Sequence, residues 1–211
     1  MGKLSDRQKK NISKHLVLTR TEWGIIKNNN YDWGCSKLKE IRDKFRDFYR
    51  KEQNNLCAYC KLPFRDDVQV EHIVPKSGKY GRKEFTFYSL NLVVSCKHCN
   101  SKKSVNNDMI PWNSKIYPKA GIYFKIVHSH FEDYFKHITI EDKSRYVMKT
   151  LKGHKTIERC KLYDPVIIDV LVKSMRYEDD ALINGVLRIR DLQGNFKIII
   201  DRFIERIFKQ I

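Results

Sequence analysis

The chain has 211 residues, of which 41% are apolar, enough for one domain with helical extensions and a genuine core. Its formal net charge of +17 favours a polyanionic partner, nucleic acid before anionic membrane surfaces or acidic proteins. No apolar run approaches the roughly 18 residues of a membrane span, and the basic opening MGKLSDRQKK has no apolar stretch behind it to make a secretory leader, so the expectation is a soluble cytoplasmic protein with no membrane partner.

Residues 1–53 read as an N-terminal basic arm followed by a helix. The run NNNYDWG at 28–34 is turn-rich and separates the two. Ser36 is placed to cap the helix, in which Leu38, Ile41, Phe45, Phe48 and Tyr49 recur at three- and four-residue steps. Its other face carries Lys37, Lys39, Arg42, Lys44, Arg46 and Arg50, which suits either a solvated surface or a face lying along DNA.

The organising stretch is 54–112. Two Cys-x-x-Cys knuckles, Cys57 with Cys60 and Cys96 with Cys99, bracket it. A gap of two residues lets both thiolates of a knuckle turn to one point, and two knuckles complete a tetrahedral shell with no open position, which is the pattern of a structural zinc. The remaining cysteines, Cys35 and Cys160, stand alone and read as an ordinary thiol and a core packer. Between the knuckles, Val68 to Val74 alternates like a strand that Pro75 ends, and residues 76–90 form a long basic loop. Asn100 is placed to cap a helix running to about Asn107.

Glu71 and His72 lie at the end of that strand. An imidazole that is neutral near pH 7 suits a general base. Glu71 and the Asn100 amide oxygen are hard donors, suited to Mg²⁺ or Mn²⁺. On a regular strand Glu71 and His72 face opposite ways, so a bend is needed to aim both at one pocket.

The residues C57-A-Y-C60, E71-H-I-V-P75, N91-L and C96-K-H-C99-N100-S-K-K103 together resemble the HNH nuclease superfamily, in its four-cysteine zinc branch. The resemblance implies an α+β fold: a ββα-metal core with a structural zinc held by four cysteines, flanked by N- and C-terminal helices. It implies an endonuclease that hydrolyses DNA phosphodiester bonds, leaving 5′-phosphate and 3′-hydroxyl ends. By that likeness His72 is the general base, and Glu71 and Asn100 hold the catalytic divalent ion. Asn91 braces the loop that orients His72, and Lys103 meets a DNA phosphate, with Lys76 and Lys102 as further nucleic-acid-binding residues. The sequence departs from the family in having Glu where Asp is common and Asn where the third position is often His.

Residues 113–211 read as a mainly helical C-terminal region. Residues 121–140 look partly extended, Lys152 to Lys155 a turn, and 165–177 and 197–211 helical. His128, His130 and His137 match no defensible metal spacing. The segments 128–135 and 152–162 resemble tails of bacterial HNH proteins from anti-phage systems, which points to a partner protein such as an ATPase, or to a homodimer. The rival functional reading is a non-catalytic zinc module that binds nucleic acid or recruits a partner.

Overall fold

The structure is a computed structural model that describes residues 12–64, 68–141 and 145–176. Residues up to Leu171 form one compact unit and a second begins at Val172. The helix expected at 197–211, with its apolar stripe, lies outside the described residues.

The fold is α+β. Helix α1 (Arg20–Asn28) starts in a capping box: the Glu22 amide donates to Thr19 Oγ1 at 3.2 Å and the Thr19 amide to the Glu22 carboxylate at 2.7 Å. Helix α2 (Lys39–Glu52) follows a 3₁₀ turn at Ser36–Leu38 and buries Ile41, Phe45 and Tyr49 along one face. Ser36 does not cap it; the tighter turn intervenes, and no side chain bonds to the helix start. Burying each of the two large aromatics is worth roughly 1.5–3 kcal/mol.

Strands β1 (Val68–His72) and β2 (Leu92–Cys96) pair antiparallel, with Val68 opposite Cys96 and His72 opposite Leu92. Leu92, Val93, Val94 and Ser95 are all buried, so β2 is covered on both faces and reads as a run rather than an alternation. Its free edge is occupied by Gln53, whose amide donates to Val94 O and accepts from the Val94 N–H, both at 2.8 Å, as another strand would. Helix α3 (Lys97–Lys103) leaves β2 directly.

Beyond α3, residues 121–140 are less extended than the sequence implied: a 3₁₀ turn at Gly121–Tyr123 and the short helix α4 (Tyr134–His137) precede β3 (Ile138–Glu141). Strand β4 (Arg145–Met148) pairs with β3, so the region is not purely helical. Helix α5 (Leu151–Cys160) takes in the expected turn at 152–155. Gly153 is there because α5 packs tightly: a Cβ on it would lie 2.0 Å from His137 O. Helix α6 (Pro165–Arg176) follows. Residues on either side of 53 and of 112 pack into the same unit; Tyr146, on β4, donates to Cys60 O at 2.7 Å.

His128 and His130 are struts. The His130 amide donates to His128 Nδ1 at 3.3 Å, which leaves the ring proton on Nε2, 2.9 Å from Tyr117 Oη. His130 Nε2 donates to Leu92 O at 2.8 Å and so holds the start of β2. Burial pushes His128 well below its ordinary pKa and His130 down to about 4, with His15 contributing at the latter. A histidine depressed in the folded state stabilises fully above its unfolded value near 6.5 and loses that contribution as pH falls towards 4. His130 alone should therefore cost about 2 kcal/mol of stability between pH 7 and pH 5. Thermal melts across that range should show the loss in the wild-type chain and a flatter profile in His130→Gln.

Candidate active site and metal centre

Each half of the metal centre comes from a tight turn. In the first knuckle the Cys57 amide donates to Leu62 O at 2.9 Å and the Lys61 amide to Cys57 O at 3.1 Å, with Lys61 in the left-handed region at φ 58°. In the second, Cys96 ends β2 and Cys99 sits in the first turn of α3. The four sulfurs lie within 4.8 Å of one another, and the Cys96 amide donates to Cys57 Sγ at 3.4 Å. Four thiolates about 2.3 Å from a tetrahedral ion would stand about 3.8 Å apart, and Cys60 Sγ is 3.9 Å from Cys96 Sγ. The donor set therefore fits one four-coordinate ion. Cys160, buried at the end of α5, packs against Cys99 outside the four-sulfur group, and His98 is not among the clustered donors. No cluster of histidines joins them among the described residues.

This knuckle sets the start of α3, and the helix does not begin at Asn100 as a cap would require. Asn100 lies one turn inside, where its Nδ2 donates to Gln69 Oε1 at 2.7 Å. Asn100 Oδ1 accepts no hydrogen bond among the described residues. One turn further, Lys103 Nζ stands 2.8 Å from Glu71 Oε1 and donates to His72 O at 3.2 Å. Gln69 and Glu71 share a face of β1, and Asn100 and Lys103 share a face of α3, so Glu71 and Asn100 meet at one strand–helix interface. Tyr59, inside the first knuckle, points its hydroxyl at Glu71 Oε1 at 3.5 Å. Burial and the Glu71 charge keep that phenol protonated, well above its ordinary pKa.

Lys103 is therefore not a phosphate contact. It is fully buried. Burial alone would pull its ammonium down, but Glu71 and Asp108 outweigh that and hold it above its ordinary pKa. Asp108 in turn is tied to Arg159 on α5 at 3.0 Å. Lys103→Met should cost roughly 3–5 kcal/mol in chemical denaturation, because it strands a buried carboxylate. Most of the loss should return in the Lys103→Met/Glu71→Gln double variant.

The His72 ring lies on the other side of β1. Its Nε2 is 3.0 Å from Thr86 O, and since a carbonyl only accepts, Nε2 carries the proton and Nδ1 is left as the acceptor. Burial lowers its pKa to about 3, Lys76 and Lys103 adding to the shift and the Thr86 bond opposing it. Asn91, fully buried, fixes the loop that supplies Thr86: its Oδ1 accepts from the Val74 amide at 2.7 Å, and its Nδ2 donates to Val74 O at 3.0 Å and Phe85 O at 3.1 Å. The second wall of the ring comes from Trp33, edge-on at 4.6 Å between ring centres. Arg42 Nη1 holds the Trp33 loop by donating to Trp33 O at 2.7 Å and Cys35 O at 2.6 Å.

The structure thus joins Glu71, Lys103 and Asn100 on one face of β1, and His72, Thr86 and Asn91 on the other. Glu71 and His72 are 7% and 5% exposed, and their side chains bond to different partners, Lys103 for the one and Thr86 for the other. Lys76 and Lys102 are exposed. The basic face of α2 is mostly engaged internally: Lys39 and Arg46 pair with Asp43, Lys44 with Glu22, and Arg42 with backbone. Trp33 and Tyr59 carry no sequence signal beyond an aromatic in a turn-rich run and an aromatic inside a knuckle.

A β-hairpin followed by a helix, closed by four convergent cysteines with a Glu-His pair at the strand end, defines the ββα-metal class of nuclease domain. Residues 57–106 match the family described as HNH endonuclease, and this segment of the chain is a domain of that superfamily. A protein of Vibrio cholerae serotype O1 biovar El Tor, named as the candidate HNH endonuclease of retron Vc95, is 27% identical over 182 residues, covering 80% of this chain and 84% of its own.

Proposed function

We propose that this chain is a metal-dependent endonuclease that hydrolyses phosphodiester bonds in DNA. One observation carries the reading: His72 is pinned through Nε2 by Thr86 O, so that the basic nitrogen is the unengaged Nδ1. His72 Nδ1 takes the proton of the attacking water. Thr86 fixes the tautomer, and Asn91 fixes Thr86 by clamping the loop at Val74 and Phe85. Glu71 and the Asn100 amide oxygen would hold a hard divalent ion, Mg²⁺ or Mn²⁺, which when bound offsets charge on the scissile phosphate. Cys57, Cys60, Cys96 and Cys99 would hold a structural zinc. The net charge of +17 supports a nucleic-acid substrate.

A second reading, a zinc module that binds nucleic acid without cutting it, is favoured by the burial of Glu71 and His72. Supercoiled plasmid decides between them. The proposal expects nicking or linearisation with Mg²⁺ or Mn²⁺, arrested by chelator and by Glu71→Gln, with 5′-phosphate and 3′-hydroxyl ends. Binding without any cutting under every divalent ion tried supports the module instead. A role in anti-phage defence or restriction, beside a partner such as an ATPase, belongs to the same proposal. The resemblance of segments 128–135 and 152–162 to tails of anti-phage HNH proteins supports it, and phage plating on cells carrying wild-type or Glu71→Gln protein tests it.

A further inference from the structure

The cleft between α3 and α5, of about 360 Å³, is lined by Lys102, Asn106, Lys155, Glu158, Arg159 and Lys161. It lies outside the residues that hold Glu71 and His72, and α5 lies outside the matched domain. Four cations face one carboxylate in it. Arg159 has its charge met by buried Asp108 at 3.0 Å, and the Glu158 carboxylate lies 3.3 Å from the His154 ring. The ammonium groups of Lys102, Lys155 and Lys161 are exposed and make no ion pair or hydrogen bond with any described residue. Lys102 comes from α3, Lys155 from α5 and Lys161 from the residue that caps it, and the Arg159–Asp108 pair ties α5 to the loop that follows α3. Lys161 closes α5 in the left-handed conformation, φ 45° and ψ 55°, at a cost a non-glycine residue ordinarily avoids. The C-terminal end of α5 repels an anion, and the lysines outweigh it, since a full charge each exceeds the half charge of a helix end.

We infer that this cleft is a phosphate-binding site that grips the backbone of a nucleic acid at the C-terminal end of α3, beginning two residues beyond Asn100. The inference rests on the nuclease reading for its choice of ligand. It moves the phosphate contact from buried Lys103 to its outward neighbour Lys102, and it gives α5 a function: with Lys155 and Lys161 it extends the substrate track beyond the HNH domain.

The test uses the full chain, a fluorescent DNA duplex and magnesium-free buffer, with anisotropy read across a salt series. Lys155→Gln/Lys161→Gln should weaken binding about tenfold and reduce the log–log salt slope by about two, one for each lost phosphate contact. The control Lys27→Gln/Lys37→Gln, exposed lysines that do not line the cleft, should change both far less. Unchanged affinity and slope in the cleft variant overturn the inference, as does an equal loss in the control. Free inorganic phosphate at about 10 mM serves as a competitor; the cleft binds the polymer backbone through several contacts together, so displacement of less than half the duplex is expected. Lysine-dependent capture of free phosphate with duplex affinity untouched overturns it too. Should the double variant melt early, the single variants Lys155→Gln and Lys161→Gln carry the reading at half the slope change. A wild-type chain that binds duplex through these lysines yet never cuts plasmid keeps the cleft and removes the nuclease reading. A chain that cuts, with affinity undiminished in the variant, does the reverse.

Discussion

Cys99→Ala should give a chain that retains no zinc and whose hairpin–helix unit does not fold at ordinary temperature. Helix α3 is seven residues long and its sequence KHCNSKK offers no apolar face besides Cys99 itself. Helices under about 12–15 residues are marginal in water on their own. What fixes α3 is the metal knuckle at its start and the buried Lys103–Glu71 pair at its end. The β1–β2 hairpin is short as well, and its strands are joined by the long connection 73–91. Structural zinc supplies about 10–16 kcal/mol of apparent binding energy in small modules, which is of the order of a whole domain's net stability of about 5–15 kcal/mol. Losing one thiolate also leaves Cys57 and Cys60, both buried, and half-buried Cys96 without the fourth donor of the set. Metal analysis should find one zinc per wild-type chain and none in the variant, and circular dichroism should find its melt lowered by tens of degrees or absent. Cys35→Ala is the contrast: Cys35 lies on the loop before α2, outside the four-sulfur group, so metal content and melt should be kept. A Cys99→Ala chain with undiminished zinc and an unchanged melt would refute the structural role.

The sequence carried the four-cysteine cluster because ligand spacing is a local property: two residues between thiolates fix the turn whatever the rest of the chain does. It carried β1 and α2 for a similar reason, since alternation at 68–72 and the three–four rhythm of Ile41, Phe45 and Tyr49 are properties of single elements. It failed where a tertiary contact decides. Asn100 looks like a helix cap until the knuckle is seen to start α3 at Lys97. Gly153 looks like a turn residue until the His137 carbonyl is seen above it. Lys103 looks like a surface cation, and only the fold brings Glu71 to it from 32 residues earlier in the chain. Trp33 and Arg42 are the sharpest case: a solvated-looking tryptophan and one arginine of a basic face prove to be a wall beside His72 and the bracket that holds it. No periodicity marks a residue whose role is to touch something far away along the chain.

His72→Ala should lower the single-turnover rate of plasmid cutting by roughly 10²–10⁴-fold, the range general-base catalysis supplies. Duplex affinity should hold, since the ring is buried and contributes no charge to the DNA-facing surface. Zinc content should hold too, because the four sulfurs are held by turns that His72 does not enter. Three companion variants separate chemistry from support. Asn91→Ala removes the amide that closes the 74–85 loop, so it should lose both activity and several degrees of melting temperature. Trp33→Ala opens one side of the imidazole and should cost activity by a smaller factor with the fold intact, because Trp33 is only half-buried. Trp33→Phe keeps a ring against His72 and should recover most of the rate. The order His72→Ala below Trp33→Ala below Trp33→Phe is what a base steered by its walls requires. Cutting that survives in His72→Ala at the wild-type rate would move the proton-accepting role to another residue, and the pairing of His72 with Thr86 would then be structural alone.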